Sequence, residues 1–161
     1  MEILKTSRTY LRRFQAEDLD SICEMESDQQ VMVHTGPGRA QTKEESKARL
    51  SKVLEHQPQS DFDGYFAVID IASQKIIAWF MLLPVGVDEF EIGFMVNREY
   101  WGKGYAYEVC KSLSHQALTK NYINKIIANV SLQNLASKSV LLKCKYTLVK
   151  KDENTLTYSL E

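Results

Sequence analysis

Three β-prone runs follow one another with only short turns between them: Tyr65 to Ile71, Lys75 to Pro84, and Phe90 to Val96. Each is rich in β-branched and aromatic residues, and the connections through Ala72-Ser73-Gln74 and Gly86-Val87-Asp88 are too short for a crossover. The runs therefore predict an antiparallel meander. The pattern then changes period. Ala106, Val109, Cys110, Leu113 and Ala117 recur at helical spacing from Gly104 to about Lys120, and Lys125 to Val130 reads as a further short strand.

The flanks repeat the mixture. Tyr10 to Phe14 reads as a strand, and Asp18 to Glu26 as a helix with Leu19, Ile22 and Cys23 on one face. Gly36-Pro37-Gly38 breaks the chain, and Thr42-Lys43-Glu44-Glu45 has the spacing of a capping box that opens a helix running to about His56. Leu135 to Cys144 reads as a last helix, with Tyr146 to Val149 and Leu156 to Leu160 as a closing pair of strands. A meander combined with a crossover helix predicts an α+β fold: a mixed, mostly antiparallel sheet of about six to seven strands flanked by helices. No repeat or Pro/Gly-rich linker interrupts residues 1–161, which read as a single domain.

Charge and composition exclude several partners. Twenty Lys+Arg against twenty-one Asp+Glu leaves a formal net charge of −1, without the basic field that phosphate-rich nucleic acid requires. No apolar run approaches the ~18 residues of a membrane helix. The opening Met1-Glu2-Ile3-Leu4-Lys5 lacks the order of a signal peptide. A cytoplasmic protein with no nucleic-acid or membrane partner is expected. Cys23, Cys110 and Cys144 are odd in number and widely spaced, and read as small buried hydrophobes. His34, His56 and His115 share no ligand spacing with each other or with a cysteine, so no metal site is expected.

The chemistry points to Trp101-Gly102-Lys103-Gly104-Tyr105-Ala106, between the third meander strand and the long helix. Glycines at 102 and 104 permit backbone angles that turn successive N–H groups toward an anion at the positive end of a helix. A Walker loop would need Gly-Lys-Ser/Thr, and Gly102-Lys103 is followed by Gly104; a dinucleotide fingerprint would need a third glycine where Tyr107 stands. The alternative is a glycine-rich turn that only starts a helix.

The wider segment from Phe94 to Ala106 resembles the acetyl-CoA-binding core of GNAT-superfamily N-acetyltransferases, whose loop reads Gln/Arg-x-x-Gly-x-Gly/Ala. Trp101 stands at the Gln/Arg position, and the run Tyr-Trp-Gly-Lys-Gly-Tyr-Ala is similar to the ribosomal-protein N-terminal (alanine) acetyltransferase branch. Asn134-Leu135-Ala136-Ser137 and Lys143-Cys144-Lys145-Tyr146 resemble that branch's Asn-x-x-Ser and Lys-x-Gly-Phe stretches. Leu11 to Phe14, Asp18-Leu19 and Val31-Met32 resemble its opening strand and helix. The resemblance implies a GNAT-like sheet with a splayed central strand pair. It also implies acetyl-CoA as cosubstrate and transfer of the acetyl group to a primary amine, on a protein N-terminus or a small molecule, by direct attack through a tetrahedral intermediate. The alternative is a non-catalytic acyl-CoA-binding module of the same fold. A homodimer is a further open expectation.

By the same resemblance, backbone groups of Phe94, Met95 and Val96 pair with the pantetheine arm. A β-bulge there would leave such groups free, and one of the N–H groups would face the thioester oxygen. The loop Trp101 to Ala106 (Gly102, Lys103, Gly104 and Tyr105 between them) holds the pyrophosphate, with Lys103 a charge at the rim, and Asn134 reaches the arm. Amine acylation needs a neutral nucleophile. Glu91 is the candidate base, because strand alternation puts it on one face with Gly93 and Met95, and a glycine neighbour leaves room for a water relay; a solvated strand carboxylate is the alternative. Many GNAT enzymes serve the leaving thiolate with a tyrosine seven residues after the asparagine; here that position is Leu141. Ser137 is the candidate donor, with a helix-cap hydroxyl as its other reading and Tyr146 as a more remote choice. Lys145 and Ala78 stand where the family has glycine, and Lys145 falls in a turn that prefers positive φ. His34 lies in a stretch resembling the family's acceptor loop, as a substrate contact or an exposed loop residue.

Overall fold

The meander forms as its turn lengths predict. In the computed structural model, which describes residues 1–120 and 123–161, Gly64–Asp70 (β3), Ile76–Gly86 (β4) and Glu89–Val96 (β5) pair antiparallel in sequence order. Thr9–Arg13 (β2) extends the sheet beside β3, and Glu2–Lys5 (β1) pairs with β2 at the outer edge. Lys125–Ser131 (β6) joins β5 in parallel, followed across the sheet by Thr155–Leu160 (β8) and Thr147–Lys151 (β7), both antiparallel. The sheet thus has eight strands in the order β1-β2-β3-β4-β5-β6-β8-β7, not six to seven. The additional strand is β1, whose four residues offer too little alternation to be read in the sequence and gain their partner only through a hairpin with β2.

Five α-helices among the described residues cover the two faces. Leu19–Glu26 (α1), Gln29–Met32 (α2) and Lys43–Glu55 (α3) pack on one face, where Ile22, Met25, Met32 and Leu50 meet Ala67, Ile69, Trp79 and Met95. Tyr105–Thr119 (α4) and Leu135–Lys143 (α5) cover the other, where Val109, Leu113, Ala117 and Leu141 meet Phe80, Leu82, Ile92 and Val96. Alternation along β5 sends odd residues to the first core and even residues to the second. The capping box forms: Glu45 N–H donates to Thr42 Oγ1 at 3.2 Å and Thr42 N–H to Glu45 Oε2 at 2.8 Å, satisfying two otherwise orphaned donors. No helix among the described residues is long and apolar enough to cross a membrane.

Candidate active site

Strands β5 and β6 run together for three residue pairs only, Glu89 with Lys125, Phe90 with Ile126 and Glu91 with Ile127. Beyond Ile127, β6 turns to β8 while β5 continues along β4. The register fixes which groups of β5 are left without a strand. Asn97 N–H donates to the Ile77 carbonyl at 2.9 Å, and continuous pairing from Ala78–Val96 to Pro84–Phe90 makes Trp79–Met95 a hydrogen-bonded pair. Met95 therefore directs its backbone to β4. The intervening Phe94 and Val96 direct theirs into the gap that β6 vacates. Of the three expected residues, two present backbone groups to the gap and Met95 does not. No bulge creates this edge, since the β4–β5 register is regular there; the partner strand diverges.

A cleft of about 780 Å³ opens at this divergence. Phe94, Met95 and Val96 form one wall, and Tyr105 to Tyr107 with Asn134 to Ser137 form the other. The segment from Gln29 to Thr35, including Val31 and His34, covers the end next to β5. Trp101, 45% exposed, also lines the cleft, and its indole Nε1–H donates to the Val96 carbonyl at 2.7 Å. Val96 thus keeps only its N–H for a ligand, while Phe94 keeps both groups.

The glycine loop takes the conformation its sequence requires. Gly102 has φ +71° and Gly104 φ +81°, values that L side chains rarely adopt, and α4 starts directly afterwards. Both glycines and Ala106 line the cleft at the positive end of this fifteen-residue helix. Lys103 does not line it; its ammonium lies 5.6 Å from the centre of the Tyr100 ring.

The loop is held from behind by a residue that sequence reading missed. Arg8, in the β1–β2 turn, donates from one guanidinium nitrogen to the Lys103 carbonyl at 2.8 Å and from Nε to Glu108 of α4 at 2.7 Å. Its guanidinium also stacks 4.1 Å from the centre of the Tyr105 ring, whose hydroxyl donates to Asp70 at 3.3 Å. Burial pushes the Glu108 carboxyl up, but hydrogen bonds from Thr6, Arg8 and Ser7 outweigh it and hold the group at about 2. Nothing in the local sequence signals this brace, because its partners lie 95 and 100 residues away.

The catalytic candidates separate. Asn134 caps α5, its Oδ1 accepting from the Ser137 N–H at 3.2 Å. Asn134, not Ser137, is therefore the cap, and Ser137 lines the cleft. Leu141 is fully buried in the core and so brings no group to the cleft. Tyr146 is buried too, with its hydroxyl 2.7 Å from Ser114 Oγ, and burial pushes its phenol far up. It stands outside the cleft. Glu91 closes the paired part of β5, where its carboxylate accepts from the Asn129 amide at 3.0 Å, and it is not among the cleft residues. The room expected beside Gly93 is filled: a Cβ there would lie 2.8 Å from Met81 Cε. His34 faces the cleft.

Lys145 adopts φ +70° just past α5, with its N–H on the Leu142 carbonyl and the Tyr146 N–H on the Leu141 carbonyl. This is the glycine-favouring helix end of the family, built with lysine.

Residues 8–147 match the acetyltransferase (GNAT) domain family. An uncharacterised N-acetyltransferase, p20, of Bacillus licheniformis is 28% identical over 142 residues, 88% of this chain and 80% of its own. Among solved structures, a GNAT-family acetyltransferase from Bacillus anthracis superposes with TM-score 0.88 at 22% identity, covering 99% of this chain and 98% of that one. RimL, a ribosomal alpha-N-protein acetyltransferase solved with coenzyme A, gives 0.84 at 12% identity over 99% and 97% of the two chains. A Vibrio cholerae spermidine N-acetyltransferase solved with CoA and spermine gives 0.78 at 16% identity over 96% and 95%. Strand divergence, glycine loop and family match agree, and the chain belongs to the GNAT acetyltransferase family.

Proposed function

We propose that the chain transfers the acetyl group of acetyl-CoA to a primary amine, on a protein N-terminus or a small molecule. One observation carries the reading: the free backbone edge of Phe94 and Val96 lies in the same cleft as the positive-φ loop Gly102 to Gly104. An extended arm carrying amides completes such an edge as an added strand would. The loop amides and the helix start suit a pyrophosphate, and their loop is kept in place by Arg8.

The residues then have defined tasks. An N–H of Phe94 or Val96 faces the thioester oxygen and stabilises the negative charge that develops as the amine attacks. Ser137, on the opposite wall, offers its hydroxyl to the departing sulfur. That assistance is modest, because a thiol with an ordinary pKa of ~8.5 leaves readily as thiolate. A buried leucine at 141 is therefore compatible with turnover.

The test is direct. CoA at 100 times its Kd should raise the Tm by about 5–10 °C, from the ~2.7 kcal/mol that such saturation contributes. Thiol release from acetyl-CoA should then require an added amine. The absence of any thermal shift at millimolar CoA would remove the reading.

A further inference from the structure

The residues facing the cleft include Gln29, Gln30, His34, Thr35, Gln133 and Ser139, but among the described residues no aspartate or glutamate. The titratable side chains that do face it are His34, Tyr100, Tyr105, Tyr107 and Lys143. Phenols and ammonium groups ordinarily titrate near 10, whereas an imidazole changes charge between pH 5 and 8. Burial and the neighbouring Asp70 push the Tyr105 phenol further up, and its hydroxyl already donates to that carboxylate.

His34 is also well placed. Val31 and Met32 of α2 pack against Met95, and Asp28, which caps α2 by accepting from Gln30 N–H, pairs with Arg98 at 3.0 Å in the turn after β5. Thr35 tightens the exit, donating from N–H and Oγ1 to the Met32 carbonyl. The segment bearing His34 is thereby anchored to β5 through Val31 and Met32 and to the turn after β5 through Asp28, while Thr35 closes back on α2. On the segment from Asp28 to Thr35 and the turn after β5, the charged side chains among the described residues are Asp28 and Arg98, paired with each other, and Glu99.

We infer that His34 accepts the proton of the attacking amine. The inference rests on the transferase reading above. The amine lone pair forms the C–N bond to the acetyl carbon, the C–S bond breaks with its electron pair remaining on sulfur, and the proton shed by nitrogen passes to the imidazole. From there it goes to solvent, while the thiolate takes up a proton to leave as free CoA. His34 is then a catalytic residue, and it takes the role read in the sequence for Glu91, which does not line the cleft.

Wild type, H34Q and E91Q are compared from pH 5.5 to 9.5, with acetyl-CoA and whichever of two probes, an alanyl tetrapeptide amide or spermidine, releases thiol faster. H34Q should lose about a hundredfold in kcat at neutral pH, in the range of general-base catalysis. The rise of its kcat/KM should also move from the neutral range to higher pH, where it follows deprotonation of the amine, and approach wild type at pH 9.5. H34A should recover activity in millimolar imidazole, which a purely structural role would not allow. CoA titrated calorimetrically into H34Q should bind as in wild type. If CoA fails to bind the wild type, the transferase reading itself fails. If CoA binds and H34Q keeps the wild-type pH profile, or E91Q displaces the rise instead, His34 is not the acceptor.

Discussion

Arg8 and Glu108 meet twice across 100 residues of sequence: Nε donates to Oε2 at 2.7 Å, and the Arg8 backbone N–H donates to Oε1 at 2.9 Å. The same guanidinium holds the Lys103 carbonyl, so the β1–β2 turn sets the backbone of the loop assigned to pyrophosphate. Replacing Arg8 with Lys keeps the charge but loses the fork that reaches both partners. R8K should raise KM for acetyl-CoA about fivefold to tenfold, roughly 1–1.4 kcal/mol, with kcat little changed. Initial rates at varied acetyl-CoA check it, and an unchanged KM would show that the loop orders itself.

The same pair makes an acid-side prediction. Glu108 is held at about 2, below the ordinary glutamate range, so it binds protons less readily in the folded chain than in the unfolded one. Its contribution to stability is complete above the ordinary carboxyl range near 4.5 and is lost as pH falls from there toward 2. E108Q should flatten that part of the stability curve. Chemical denaturation of both proteins at pH 5, 4 and 3 reads the slope, and parallel curves would contradict the assignment.

In the glycine loop, conformation and space can be separated. A Cβ at Gly102 would touch nothing within 4 Å, so Gly102→Ala tests the φ of +71° alone. It should weaken CoA binding about fivefold, for a left-handed alanine costing roughly 1 kcal/mol. Gly104→Glu adds a carboxylate where phosphate oxygens are expected and should weaken binding well over tenfold. Calorimetric titration of CoA distinguishes them; equal affinities would separate the loop from the cofactor.

On α5, Ser137→Ala should lower kcat by about threefold to tenfold while leaving the Tm unchanged, because Asn134 supplies the cap and Ser137 gives it only a backbone N–H. Leu141→Tyr should not compensate. Position 141 is fully buried, so a larger polar ring there should cost about 1–3 kcal/mol of stability with no gain in rate. A faster L141Y enzyme would show that the cleft extends into what is here core.

Lys145→Gly should stabilise the chain by about 1 kcal/mol, since the lysine occupies a left-handed position at φ +70° whose hydrogen bonds need no side chain. For a domain of this size that is a Tm gain of about 2–4 °C. A scan of the purified variant decides it, and a lower Tm would mean that the lysine stem makes a packing contribution.

The meander, the long helix after Gly104 and the capping box at Thr42 were legible because each is written in local spacing. So was the backbone of the loop at Gly102 and Gly104, since glycine at these positions has a backbone meaning independent of context. Three features were not. The odd–even choice among Phe94, Met95 and Val96 depends on a register fixed by Ile77, twenty residues from Asn97. The space beside Gly93 is decided by Met81 on the adjoining strand. The reach of Arg8 to Lys103 and Glu108 exists only after the β1–β2 hairpin docks against α4. All three are properties of side chains and strands distant in sequence, which periodicity does not encode.

Among the described residues, the three pairs that join β5 to β6 are the only ladder connecting a five-stranded slab to a three-stranded one. Three rungs hold the seam, against five or more in the β4–β5 and β6–β8 ladders on either side of it. A ligand laid along Phe94 and Val96 adds rungs where the ladder stops, so its arrival should be felt as damping of the relative motion of the slabs. Amide hydrogen exchange would register this at Phe94 and Val96, whose N–H groups face the gap, and next at the seam residues Phe90 and Ile127. In the proposed reading the cosubstrate would be a temporary part of the sheet, added on binding and withdrawn at the end of each turnover.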